Sequence, residues 1–382
     1  MKRAIRGLMW VMLSTALVVM APRAFAQRPP ETHPVSTHQD IVMSWDRSAM
    51  PGDLEILPRR TVLGYSHTDL SLRYGQLHFV CRSESSAARG RCPTVGEELS
   101  AGGEQSIPLT FTEGRTGSIV DLDVMAGIER ALADRTCRTD FWHGYSLPPW
   151  STFGEACVGV GELASGTGAK LLLGQDELRK LVAGVWTARL ELTLRTPVNP
   201  ILATYSFDFS FTITDRDAVA IYFPHFDEIS PHVGMNLRYD PITQTVGGGT
   251  TVDMCLYDGL GSQAPYLGVT VRDSGSRTPG PTGYSAWHRD SGGTGDSERL
   301  DYNVTLDYNG APLPMHNGVE EQLTGIDTAK LKLVVLPGMS QPVFCVDTPL
   351  RLEMPRVPIA EKQAGYYRGD LKVELRVPTG VP

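Results

Sequence analysis

Two serine-bearing glycine turns, a glycine-rich loop, a pair of close aspartates, nine histidines and six cysteines are the residues here whose types could do chemistry. Gly64-Tyr65-Ser66 and Gly283-Tyr284-Ser285 both begin like the strained elbow that presents a nucleophilic serine. Their fifth positions are Thr68 and Trp287, so neither completes G-x-S-x-G. Gly166-Thr167-Gly168-Ala169-Lys170 starts like a phosphate cradle but lacks the closing Gly-Lys-Ser/Thr. Asp121 and Asp123 stand two apart, with no glycine or closing Glu at EF-hand spacing. CxxC, HExxH and paired-His spacings are missing, so neither a metal nor a cofactor is expected. These segments read as turns and surface strands, and no enzyme is expected, although paired glycosidase carboxylates leave no trace in a sequence.

The cysteines become legible through the amino terminus. Lys2, Arg3 and Arg6 precede a mostly apolar run, Leu8 to Ala21, and Ala24-Phe25-Ala26 forms a small-x-small cleavage signal ahead of Gln27. That is a secretory signal peptide over 1–26, with cleavage between Ala26 and Gln27. The run is short of the roughly 20 apolar residues a membrane span needs. An exported chain with an even cysteine count reads as disulfide-bonded. Cys81 and Cys92 flank a polar loop and suit a local staple. Cys137 and Cys157 flank an aromatic, proline-rich loop (FWHGYSLPPW), and Cys255 and Cys345 remain, far apart; spacing alone leaves other pairings open.

The 382 residues carry a formal charge of -8, and losing the four basic groups of the leader takes it to -12. Such a chain is not expected to bind nucleic acid or to cling to anionic lipid. The elements that must position everything else are strands. His78–Val80, Ile107–Phe111, Ala188–Leu194, Tyr205–Ile213, Leu331–Leu336 and Leu371–Val377 are apolar or alternate with period 2, and 39 Gly and 27 Pro supply turns. Alternation bounded by Gly, Pro, Asn and Asp predicts half-buried antiparallel strands and an all-β sandwich. Helix is expected only at Gln175–Val182 and Met125–Asp134, a loose leader at Gln27–His38, and an exposed loop at Ser274–Ser297. The charged Asp215-Arg216-Asp217 interrupts two strand series. It divides the chain into a first domain, 27–215, and a second, 219–382, joined by a linker of a few residues.

Several colinear blocks resemble one family. Val252-Asp253-Met254-Cys255-Leu256-Tyr257-Asp258-Gly259 resembles the VDMCxYDG signature of class 5 fimbrial tip subunits of the alternate chaperone–usher pathway, which include colonisation-factor tip adhesins and the cable-pilus biogenesis initiator. Ala364-Gly365-Tyr366-Tyr367-Arg368-Gly369-Asp370-Leu371 is similar to that family's final strand. Phe111–Arg115, Gly184–Ala188 and Thr324–Thr328 match further short blocks, from about Val62 to Val377 overall. The resemblance implies an adhesin domain joined to a pilin domain, both immunoglobulin-like sandwiches, and the pairs Cys81–Cys92, Cys137–Cys157 and Cys255–Cys345.

It also implies partners and a mechanism. The pilin sandwich of this family lacks one strand. A periplasmic chaperone fills the gap first, the outer-membrane usher receives the complex, and the major pilin's donor strand replaces the chaperone. This is β-augmentation, for which chaperone–pilin complexes are a standing example. Leu371, Val373, Leu375 and Val377 then edge the groove, with Lys372, Glu374 and Arg376 on the other face. A whole domain stands where a shaft pilin carries its donor strand, so the chain is expected at the fimbrial tip on the cell surface, initiating assembly and binding a host-cell receptor, glycan or protein; the alternative is a structural, non-adhesive initiator. The family's receptor arginines align with Gln76, Thr196 and Pro197, none of them basic. Arg73 and Arg195 lie close by and form a displaced candidate patch. In the stapled loop, His143, Tyr145 and Trp150 suit either receptor contact or plugging of one end of the sandwich.

Overall fold

A computed structural model describes residues 27–135, 140–155, 161–198, 201–226, 228, 230–339 and 341–378. The leader 1–26 and the cysteines Cys137 and Cys157 lie outside the described residues. The chain is nearly all β and folds as two domains with separate apolar cores, one built from Ile41 to Ile213 and one from Val252 to Met354.

The first domain is an eight-stranded sheet. Its strands are β1 (Thr37–Asp46), β2 (Leu54–Tyr65), β3 (His78–Val80), β4 (Gln105–Glu113), β5 (Ile119–Ala131), β6 (Gly166–Leu173), β7 (Gly184–Arg195) and β8 (Ala203–Thr214). The order is β1-β8-β7-β4-β5-β6-β2, with β3 also on β7. The β4–β7 pairing spans only Thr112↔Thr187 and Glu113↔Trp186. The sheet therefore folds over at that corner into two facing layers. Phe111 of β4 meets Phe209 and Phe211 of β8 across the core, with ring centroids 5.6 and 5.4 Å apart.

The second domain begins with β9 (Ala220–Tyr222), β10 (Arg238–Asp240), β11 (Thr245–Val252), β12 (Cys255–Tyr257) and β13 (Tyr266–Asp273). It continues with β14 (Ser285–His288), β15 (Arg299–Asp301), β16 (Asn303–Tyr308), β17 (Ala311–Pro314) and β18 (Glu320–Thr324). It ends with β19 (Leu331–Val334), β20 (Val343–Asp347), β21 (Leu350–Pro358), β22 (Tyr367–Arg368) and β23 (Leu371–Arg376). These form four small sheets, β10-β11-β21-β16-β17, β19-β20-β12-β9, β18-β13-β23 and β15-β14-β22.

Four local expectations are corrected. Met125–Asp134 is not a helix: it falls largely within β5, whose Ile128 and Ala131 pair along one edge with Leu147 and Trp142, while Arg59, Arg60 and Trp142 cover Glu129 and Ala131 on its outer face. A strand buried on both faces loses its alternation, and its continuous apolar run then looks helical. The helix at Gln175 lasts one turn, Gln175–Leu178. The 27–38 segment is fastened rather than loose: Thr32 bridges Tyr65, and β1 runs parallel to β8 from Thr37. The glycine-rich 274–297 segment contains β14, whose Trp287 is buried.

Candidate functional site

The end of the first domain farthest from the second is built where β7 stops and β8 starts. Arg195 closes β7 opposite His78 of β3. Arg73 is exposed and holds a left-handed backbone, φ 54° and ψ 36°, between two 3-10 turns. Gln76 donates to Thr152 O at 3.3 Å, and Phe79 N donates to Pro149 O at 2.8 Å, next to Trp150. Arg73, Arg195 and Trp150 are thus brought to one end by three different segments. Trp150 is half-buried and packs on the core, and Arg195 has a buried Nε without a partner among the described residues. Thr196 is buried and Pro197 exposed. Sequence reasoning missed Val198 and Ile201, both large and exposed in the same β7–β8 connection. Their mark in the sequence is an apolar pair in a Pro- and Asn-containing turn.

The aromatic loop plugs this end. Trp142, His143 and Leu147 are buried, and Tyr145 and Phe153 pack against the core. What fixes the loop is Arg130 on β5, which is fully buried. It donates to the carbonyls of Phe153 at 2.7 Å, Leu77 at 2.8 Å and Ser151 at 2.7 Å, and to Thr167 Oγ1 at 2.6 Å. Burial pushes its guanidinium down to about 9, so it stays charged at neutral pH. Four neutral acceptors take the place of a counter-ion, which makes the guanidinium a clamp on three chain segments. His78 is also buried, and burial lowers its pKa below the ordinary range, with the charges of Arg130 and Arg195 adding to the effect.

The two domains meet at a close joint. The Val252–Gly259 signature builds it: Cys255 is bonded to Cys345, and the Asp258 carboxylate accepts from the amides of Leu260, Ser262 and Ala264 at 2.9, 2.9 and 3.0 Å. Gly259 adopts φ +67°, and its carbonyl accepts from Asp215 N at 2.7 Å across the joint. Arg115, on the β4–β5 turn, donates to Ser262 O and, at 3.2 Å, to Ala329 O. A Cβ at Gly261 would lie 2.6 Å from Gly184 Cα, so the backbones approach as only glycine allows. The signature resembling a family motif is here a loop-forming device. Between the two strand series the chain makes a 3-10 turn, Arg216–Ala218.

The last strand is open. Among the described residues β23 pairs with β13 alone. Leu371, Val373, Leu375 and Val377 pack on the second core yet are only half-buried. Lys372 and Arg376 stand outward, and Glu374 bonds Lys372 at 2.8 Å and Arg272 at 3.0 Å. Arg376 holds Glu320 and donates to Tyr266 Oη at 3.1 Å. Residues 231–237 behave similarly: they belong to no strand, yet Val233 and Met235 are half-buried on the same core, with His232, Gly234 and Asn236 exposed between and beyond them. The second core thus carries two extended segments with free backbone edges.

The other chemistry candidates are structural in this fold. Ser285 is buried and donates to Asp301 Oδ1 at 2.6 Å, while His288 turns to Ala364 O at 3.2 Å. Ser66 is buried near Thr68. The phosphate-loop-like stretch is strand β6, with Lys170 paired to Glu104 at 3.1 Å. His38 and Asp40, both exposed, and the half-buried Asp208 form a group able to reach one metal ion, which sequence hides because Asp208 is distant from the other two. Asp208 already lies 3.5 Å from Arg189. Two disulfides are present among the described residues, Cys81–Cys92 and Cys255–Cys345, with Cα separations of 5.2 and 5.6 Å.

Comparison with known proteins agrees with this architecture. Residues 22–216 match the first domain of the family of CfaE, a CFA/I fimbrial subunit, and residues 219–379 match its second domain. The chain is 28% identical to that CFA/I fimbrial protein of Escherichia coli over 316 residues, 78% of this chain and 80% of that protein. It superposes with TM-score 0.67 and 24% identity on a crystal structure of CfaE, the adhesive subunit of CFA/I fimbria of enterotoxigenic Escherichia coli, covering 92% of this chain and 95% of that one. A structure of a chaperone–tip adhesin complex, described as vital for activating CFA/I fimbriae biogenesis, gives TM-score 0.65 at 24% identity, covering 92% and 99%. The chain therefore belongs to the CfaE family of CFA/I fimbrial subunits.

Proposed function

We propose that this chain is an adhesive subunit at the tip of a chaperone–usher fimbria and starts the assembly of that fibre. The observation that carries the reading is β23 with Val377 just after it: four half-buried apolar side chains on the second core, with a ladder that among the described residues is satisfied on one side only. An edge of that kind invites strand addition. A periplasmic chaperone strand would fill it first and the donor strand of the major pilin afterwards, with the usher as the site of exchange. Among the described residues the first domain has its own core and every long strand of it is paired in its sheet, so growth would proceed from the second domain. The domain limits fall at 27–215 and 219–382, and export follows cleavage after Ala26, with Cys137 joined to Cys157. The relatives named above are fimbrial subunits, which supports a place on the cell surface and a binding rather than an enzymatic role.

Receptor contact belongs to the far end of the first domain, which carries Arg73, Arg195 and Trp150. Gln76, Thr196 and Pro197 are not basic, and Thr196 is buried. The contact surface is therefore different from the family's arginine patch, and that favours keeping the structural, non-adhesive initiator as the second reading. The purified 27–215 domain separates them. Saturable binding to epithelial cells, weakened in Arg73→Ala/Arg195→Ala, supports the adhesin; no binding and no inhibition of whole fibres leaves the initiator. Capture of a donor-strand peptide by the second domain tests the assembly role in either case.

A further inference from the structure

Four large side chains stand in water at one end of the second domain. Ile242 is 91% exposed, Tyr366 71%, Tyr239 53% and Ile359 46%. They come from two segments remote in sequence, around 239–242 and 359–366, that share one pole in the fold. Tyr239 lies on β10 and Ile242 in the turn between β10 and β11. Ile359 follows β21, and its amide donates to Gln244 O at 3.0 Å, at the foot of that hairpin. Tyr366 ends the same β21–β22 connection, which Lys362 fastens to the carbonyls of Asp296 at 2.7 Å and Arg299 at 2.8 Å. The Arg289 guanidinium lies 5.0 Å from the Tyr366 ring centroid.

Topology places this pole away from the first domain. β11 and β12 run toward Gly259, which bonds Asp215 at the joint, so the start of β11 is the remote end. β13 starts just after the joint loop and β23 is antiparallel to it, with Leu371 opposite Asp273. The Leu371 end of the open edge therefore lies at the same remote pole. The connection carrying Ile359 and Tyr366 leads directly into β22 and β23.

We propose that this pole is a docking surface for the folded body of the next fimbrial subunit, the one whose donor strand fills the groove along β23. The inference rests on the groove reading of the proposed function. A strand seated along β23 must bring its parent domain to one end of the groove. The joint end is taken by the first domain, which leaves the pole of Tyr239, Ile242, Ile359 and Tyr366. Single exposed apolar side chains are ordinary, but four on one pole, continuous with an open sheet edge, mark an interaction surface. Once the strand is seated, the tethered body sits at high effective concentration, so a small patch suffices to hold it.

The test uses the full mature chain and two probes: a synthetic peptide of the major pilin's donor strand, and the intact major pilin. The intact pilin binds more tightly than the peptide. Ile242→Asp and Tyr366→Asp each weaken intact-pilin binding about tenfold, the loss expected of an interface anchor, and leave peptide binding unchanged. Leu333→Asp, on the exposed β19, changes neither. Equal affinities for peptide and pilin, or variants that bind the intact pilin normally, overturn the proposal. A parallel loss of peptide binding also overturns it, because the pole would then serve only to fold the groove. An equal loss of chaperone binding assigns the pole to the chaperone instead and overturns it too. Failure of the parent chain to bind either probe overturns the groove reading itself, and this surface with it.

Discussion

The first domain and the second use the same alternation to opposite effect. On β7, Leu190, Leu192 and Leu194 are fully buried, with polar residues between them. On β23, Leu371, Val373 and Leu375 repeat the pattern, continued by Val377 just beyond it, and all four are only half-buried. β7 has β8 on one edge and both β3 and β4 on the other, whereas β23 has β13 and an open side. Period 2 tells which face of a strand is apolar; it does not tell whether a neighbour exists to cover it. Both sheets end in edge strands, but the apolar residues of β7 are sealed by its neighbours and those along β23 are not, and on the function proposed above a strand from elsewhere covers them.

The largest expected effect comes from the open edge. Val373→Asp puts a charge into the half-buried face and should abolish chaperone and donor-strand capture, whereas Lys372→Asp, on the outward face, should be mild. Pull-down of each full-length variant with the chaperone checks this, and assembled fibres tipped by Val373→Asp would break the comparison. Next comes the Cys255–Cys345 link, which closes a separation of 90 residues in the second domain. Its removal should cost about 4–5 kcal/mol in the loop-entropy description, read as a drop in the denaturant midpoint of the second domain. Arg130→Met in the first domain leaves three carbonyls unpaired and frees the aromatic loop; a loss of about 3 kcal/mol and faster proteolysis near 141–155 are expected.

The smallest effect is on pH. Burial alone would raise Asp46, but hydrogen bonds from Thr214 and Ser48 hold it down at about 2. A carboxyl lowered on folding contributes stability above its unfolded pKa and loses it as pH falls from roughly 4 toward 2. His78, lowered mainly by burial, likewise favours the folded state above the ordinary histidine pKa and penalises it as pH falls below about 6.5. The first domain should therefore lose stability in two acid steps. Asp46→Asn should remove the lower step from a thermal-unfolding series against pH, and His78→Gln the upper one.

Much of the fold is legible in the residues. The alternating stretches at Ala188–Leu194, Tyr205–Ile213 and Leu371–Val377 lie in strands, except that β23 closes at Arg376, because nothing but burial on one face shapes them. β5 reads as helix because Arg59, Arg60 and Trp142 bury Glu129 and Ala131 on its second face, and those partners come from other segments of the chain. Arg130 escapes sequence reasoning for a related reason: a lone arginine reads as surface, and its four acceptors come from three other segments. Of His143, Tyr145 and Trp150, which sequence left evenly between contact and plugging, His143 is buried while Tyr145 and Trp150 are half-buried against the core. At the remote pole of the second domain, Ile242 sits in a Pro-containing turn where alternation says nothing, so only the fold reveals its exposure.

The contrast between a closed first domain and an open second one is tested most directly by calorimetry of the mature chain with and without the donor-strand peptide. Seating the peptide buries alternate side chains at about 1.5–3 kcal/mol for each large one and completes the ladder along Leu371–Arg376. Two unfolding transitions are expected. The peptide should raise the one belonging to the second domain by many degrees and leave the first-domain transition where it was. An unmoved second transition, or an equal rise in both, would contradict the open edge.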